Sequence, residues 1–217
     1  MRVRPLRLFA VLLFAVLAPT LGGCTGLNVP AGGASAPAAS DPAGARGELA
    51  TLTVRAPQPM SGYSRARFPL WIEQGAGCNT RDLVLQRQGQ DVTVTAHCKI
   101  THGTWLSPYD NQTFTEPQKV EIDHLVPLAD AWRSGANSWT DAKRQDFAND
   151  LTRPQLLAVS STTNRAKGDQ DPSQWKPPNH DFWCRYAEDW IAVKQYWALT
   201  VTAAEKAALT DMLGTCP

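Results

Sequence analysis

Hydrophobic and polar positions divide this chain into three regimes. Leu8 to Leu17 is an unbroken apolar run. Residues 25–59 are rich in Ala, Gly, Pro and Ser and show no apolar periodicity, so they bury no core of their own. From about Gly62 onward aromatic, β-branched and charged residues mix, over a length that suits one compact domain. Inside it, Arg81–Arg87 reads as a short helix or strand. Alternation over Asp91–Thr95 and Lys119–Asp123 predicts strands. The turn-forming run Ser107-Pro-Tyr-Asp-Asn111 predicts a hairpin between residues 101 and 113. Residues 128–149 hold two helical stretches broken near Gly135, with Trp132, Trp139 and Phe147 as core contacts. Leu156–Val159 reads as a short buried strand, with Thr162 or Thr163 capping a helix that starts near Asn164. Trp183, Trp190 and Trp197 recur every seven residues with Tyr186 and Val193 between them, one apolar helical stripe better suited to core than to base stacking. Thr202-Ala-Ala-Glu205 is a capping box that opens another helix.

The first regime reads as an export signal over residues 1–23. Arg2, Arg4 and Arg7 precede the apolar run, which is too short for a mature membrane span. Leu21-Gly-Gly-Cys24 looks like a bacterial lipobox, which makes Cys24 a lipidation site. Residues 24–59 then form a disordered tether, and residues 60–217 the domain. The expected location is extracytoplasmic, lipid-anchored at the membrane or secreted. Removing the leader deletes three of 21 Lys+Arg and none of 20 Asp+Glu, so the mature charge is 18 − 20 = −2. Any nucleic-acid contact must therefore come from a local patch.

Five cysteines minus Cys24 leave four, an even number that in an exported chain reads as two disulfides. Of the three possible connectivities, Cys78–Cys98 and Cys184–Cys216 keep each pair within one local segment. The second would staple an antiparallel helix pair. A zinc site using these cysteines with His97 or His102 is the competing reading, and it lacks a CxxC pair.

The chemistry concentrates in Glu121-Ile-Asp-His-Leu-Val-Pro127 and, about forty residues on, Asn164-Arg-Ala-Lys-Gly-Asp169. A neutral His is a suitable base near pH 7, and Asp and Asn oxygens are hard ligands suited to Mg²⁺. Adjacent Asp123 and His124 point to opposite sides of a regular strand, so a twist or bulge before Pro127 is needed to bring both to one cleft.

These two segments resemble the motif of HNH endonucleases. Ala131-Trp, Phe147-Ala-Asn-Asp150, Leu157-Ala-Val, Lys167-Gly-Asp and Trp175-Lys-Pro-Pro extend the likeness to exported actinobacterial HNH proteins. Those proteins are similar to the C-terminal nuclease domain of GmrSD-type restriction enzymes. The likeness covers about Gly62 to Cys216. It implies an α+β fold with a ββα-metal core in a disulfide-stapled domain ending in a helix pair. It also implies metal-dependent hydrolysis of nucleic-acid phosphodiesters. His124 would be the general base. Asp123 and Asn164 would hold a divalent metal, Mg²⁺ first, with Mn²⁺, Ca²⁺ or Zn²⁺ as alternatives. Lys167 and Arg81 would contact phosphate, and Asp169 would fix Lys167 or a metal-bound water; Lys143-Arg144 and Arg165, read from the residues alone, either track a phosphate backbone or form a solvated helix face. The motif's middle Asn falls on Gln155, a departure, with Asn149 as the alternative. Relatives have Asp where Asn79 stands, a second departure. DNA without sequence preference is the expected substrate, since no reading module is visible. The partners implied are nucleic acid and, through Cys24, the membrane, with no protein partner. The rival readings are a cell-envelope lipoprotein that binds nucleic acid or wall polymer without turnover, and a zinc-stabilised structural module.

Overall fold

Tertiary contacts override the low-complexity reading at the start of the described region. The computed structural model describes residues 41–217; the leader, Cys24 and the tether as far as residue 40 lie outside them. Composition predicts a tether that continues to residue 59. Instead α1 (Pro42–Thr51) is a helix, with Asp41 capping Gly44 N–H and Pro42 in its first turn. Ala45, Leu49 and Leu52 are buried in the main core, so the few apolar residues in this Ala/Gly-rich stretch are enough to dock it. The chain beyond is pinned by backbone bonds from Arg55 N–H to Val201 O and Gln58 N–H to Arg133 O. Residues 41–59 are therefore packed against the rest of the domain.

The fold is α+β, with seven α-helices and two small antiparallel sheets among the described residues. Helix α2 (Thr80–Gln88) resolves the helix-or-strand ambiguity: Asn79 and Asp82 form a reciprocal capping box at its start. Strands β1 (Gln90–Thr95), β2 (Lys99–Leu106) and β3 (Thr113–Phe114) make the first sheet, with the expected turn between β2 and β3. Strand β4 (Val120–His124) pairs in register with β5 (Leu156–Ser160), Asp123 opposite Leu157 and His124 opposite Leu156. Between them lie α3 (Leu128–Arg133) and α4 (Asp141–Ala148), separated at Gly135. Helix α5 (Ser161–Lys167) follows β5 without a loop. Its cap is Ser160, whose Oγ accepts from Thr163 N–H, one turn earlier than the expected threonine cap.

Helices α6 (Trp183–Tyr196) and α7 (Ala203–Leu213) close the chain, α7 opening on the Thr202–Glu205 capping box. The tryptophan stripe is core: Trp190 is fully buried and Trp197 nearly so. Buried Glu205 also accepts from Trp190 Nε1 and, with Asp130, surrounds the Lys194 ammonium at 3.0 and 2.6 Å. Both expected disulfides form, Cys78–Cys98 and Cys184–Cys216, which removes the zinc reading. No helix among the described residues is long and apolar enough to cross a membrane.

Two cores flank the β4–β5 pair. Val120 and Ile122 of β4 join Leu156 and Ala158 of β5 against α2 and Trp105. Val159, Leu125 and Val126 join the larger helical core. Alternation leaves Glu121 and Asp123 facing α5, and this places polar chemistry in the seam.

Candidate active site

The end of β4, the start of α3, α5 and the loop 62–67 enclose a cleft of about 230 Å³. Tyr63, Arg65, Asp123, His124, Asn164 and Asp169 line it. The two neighbours Asp123 and His124 do reach one cleft, at the point where the strand ends and Pro127 turns the chain into α3.

His124 is 4 % exposed, and its Nε2 lies 2.9 Å from Ala148 O. A carbonyl only accepts, so Nε2 carries the proton and Nδ1 is left with its lone pair. Burial, the largest cause, pushes the imidazole down to about 3; the charges of Arg65 and Lys167 add to this, and the Ala148 bond opposes it. The ring is held neutral, in one tautomer, beside the Trp71 ring at 5.8 Å.

Gln155 explains how the loop after His124 is held. It is fully buried, and its side-chain amide brackets Val126: Nε2 donates to Val126 O at 2.9 Å and Oε1 accepts from Val126 N–H at 3.1 Å. Its own carbonyl accepts from Leu125 N–H at 2.7 Å. Asn149 is occupied elsewhere, bonding Thr80 Oγ1, Ile72 N–H, Pro69 O and Gln145 O. Of the two candidates for the motif's middle position, Gln155 is therefore the one that fastens the loop.

Asp123 is buried, with one oxygen, Oδ2, accepting from Tyr109 Oη at 2.6 Å and Lys167 Nζ at 2.7 Å. Burial is the main influence on both charges, raising Asp123 against its two partners and lowering Lys167 against Asp123. Lys167 has no exposed surface, and its ammonium also donates to His124 O at 3.0 Å. The expectation that it contacts phosphate is corrected: its position on the inner face of α5 makes it the counter-ion of Asp123. Asp169 does not fix it, because that carboxylate pairs with Arg133 at 2.6 Å.

Asn164 donates from Nδ2 to Glu121 Oε2 at 2.8 Å, which leaves its carbonyl oxygen as the free end in the cleft lining. Arg165 is exposed and pairs with the other oxygen of Glu121 at 3.0 Å. Arg81 is not part of the cleft. Its Nη2 donates to Pro117 O and Val120 O, so it is a strut between α2 and the start of β4, a second correction. Asn79 acts as a helix cap, a role in which Asn and Asp rank equally, so this departure leaves the cleft unchanged. Arg144, on a helix face that could have been solvated, is buried against Ala136 O and Asp141.

Asp123 and Asn164 each keep one oxygen out of these bonds and line the same cleft as His124, so the cleft offers hard oxygen donors. That set suits Mg²⁺, which keeps several waters and takes substrate phosphate. Two further clusters with close metal-ligand spacing are satisfied within the protein itself. Cys184 and Cys216 of one are joined as a disulfide, and in the Asp130–Asp171–Glu205 cluster Lys194 pairs with two of the carboxylates. Sequence reasoning missed Tyr109, Glu121, Tyr63 and Arg65. Glu121 stood within the motif and alternates with Asp123, a signal that could have found it. Tyr109 and the loop come from distant segments.

An antiparallel strand pair followed at once by a helix, with Asp-His at one strand end and Asn on the helix, defines a nuclease-type domain. The family model for the C-terminal domain of GmrSD restriction endonucleases matches residues 80–212, and the chain belongs to that family. It is also similar to an uncharacterized secreted protein of Arthroderma benhamiae, 50 % identical over 196 residues, which spans 90 % of this chain and 96 % of the relative. No solved structure matches.

Proposed function

We propose that this protein is an exported, metal-dependent endonuclease that hydrolyses phosphodiester bonds, DNA first, without sequence preference. The observation that carries this reading is that Asp123, Asn164 and a buried His124, whose Nε2 is fixed on Ala148 O, line one cleft. Asp123 and Asn164 would hold a divalent ion, Mg²⁺ first. When bound, it supplies a Lewis acid for the phosphate and the departing 3′ oxygen. His124 Nδ1 takes a proton from the attacking water while the new P–O bond forms and the bond to the 3′ oxygen breaks. Ala148 O and the Gln155-fastened loop hold the imidazole in the orientation this transfer needs. Lys167 favours the ionised form of Asp123 against its burial and orients the carboxylate from behind. Arg165, exposed next to Asn164 and held by Glu121, would track the substrate backbone outside the cleft. Export is supported by the leader pattern and by the name of the Arthroderma relative, and lipidation at Cys24 by the lipobox pattern alone.

The test is nicking of supercoiled plasmid by the oxidised protein with Mg²⁺, beside an EDTA control and His124→Ala. Nicking that requires metal and is lost in His124→Ala is the expected result. No cleavage of DNA or RNA with Mg²⁺, Mn²⁺, Ca²⁺ or Zn²⁺ would reject the enzyme and leave a binding protein.

A further inference from the structure

Correcting Lys167 and Arg81 leaves the cleft without the cation that phosphate chemistry needs within reach of the base. The loop before Phe68 supplies one. Gly62 there has φ +76°, a left-handed conformation that costs a side-chain-bearing residue, and it turns the chain toward the cleft. Tyr63 then packs edge-on to Trp132, ring centroids 5.8 Å apart, and Arg67 lies over the same indole at 5.3 Å while pairing with Asp141. Phe68 is buried behind them. The residues on either side of Arg65 are thus anchored. Arg65 itself is exposed, lines the cleft, and makes no side-chain hydrogen bond or ion pair among the described residues.

We propose that Arg65 is the residue that binds the scissile phosphate, its guanidinium lying on a non-bridging oxygen across the cleft from Asn164. This rests on the nuclease reading of the cleft. A guanidinium is permanently charged and can donate two parallel bonds to one phosphate, geometry that a lysine lacks. A cation on an anchored loop over a buried base also stabilises the charge that builds on phosphorus as water attacks. The absence of any competing carboxylate on Arg65 keeps it available, in contrast to Arg165, which Glu121 holds, and Arg133, which Asp169 holds.

The experiment uses the full mature chain with both disulfides oxidised. Cleavage of plasmid and of a short duplex is measured for the parent, Arg65→Ala and Arg65→Lys. Binding of the duplex is measured by fluorescence anisotropy at several salt concentrations, in a His124→Ala background with and without Arg65→Ala. Arg65→Ala is expected to lower kcat by about 10²-fold with a smaller change in KM. Arg65→Lys should recover part of that, and the thermal midpoint should not move. The salt slope of binding should drop by about one unit in Arg65→Ala. Parent-like cleavage and binding by Arg65→Ala overturn the proposal while the nuclease reading stands. If the parent never cleaves but Arg65→Ala still weakens binding and lowers the slope, the phosphate contact stands and the nuclease reading fails. No cleavage by the parent together with no duplex binding by either protein removes both. Equal losses in the two variants with a lowered midpoint would assign Arg65 a structural role and overturn it.

Discussion

Gln155 is one methylene longer than the Asn that the HNH motif places there, and that length lets one amide bond both backbone groups of Val126. Gln155→Asn is therefore expected to lower activity rather than restore the motif. A shorter arm loses at least one of the two bonds and leaves a buried backbone group unpaired, costing about 1–3 kcal/mol. Urea denaturation and nicking rates check this, with an unchanged or improved enzyme as the contrary result. Asp189, on α6, sets a pH dependence. Burial is the main cause that raises its carboxyl to about 6, against its bond to Arg185. The folded protein thus holds this proton more tightly than the unfolded chain. The stability it contributes is full below the ordinary carboxylate value of 3.8 and is lost as pH rises through about 6. Asp189→Asn, which can still accept from Arg185, is expected to stabilise the protein by about 1–2 kcal/mol at pH 7.5. That gain should vanish below pH 4, as thermal melts across pH will show.

At the scale of elements, the β4–β5 ladder and α5 carry the chemistry while the helices around them carry the stability. Helices α6 and α7 are joined by Cys184–Cys216, separated by 32 residues, at the end remote from the turn that links them. Closing a loop of that length restricts the unfolded chain by about 3–4 kcal/mol in the entropic account. Replacing both cysteines by serine is expected to lower the urea midpoint accordingly. Because neither cysteine lines the cleft, the rate of the folded fraction should be unchanged. A loss of activity without a loss of stability would contradict this division of labour. These elements were largely legible in the chain. Alternation marked β1 and β4, the seven-residue tryptophan spacing marked α6, and the capping box marked α7. The start of α5 was displaced because Ser160 ends a strand and caps a helix at once, and period alone does not reveal a cap that is also a strand residue.

For the whole molecule, the packing of α1 has a measurable consequence. A protein beginning at Gly62 lacks α1 and uncovers the sites filled by Ala45, Leu49 and Leu52. It is expected to lose about 3 kcal/mol or more of stability relative to one beginning at Asp41, given the burial of two leucines. Calorimetry of the two lengths decides the matter, and equal melting would return α1 to the tether. The sequence by itself marked β1, β4, β5, α6 and α7, favoured the two cysteine pairs and singled out Asp123, His124 and Asn164, because periodicity, caps and short motifs are local properties of a chain. Only the tertiary structure decided which cations serve which purpose. Lys167 and Arg81 looked like phosphate contacts, but Lys167 is buried on a carboxylate and half-buried Arg81 is bound to carbonyls, whereas Arg65, which no motif marks, lines the cleft. A charged side chain's role follows from whether its charge is desolvated against a partner or left facing water, and residues distant along the chain settle that.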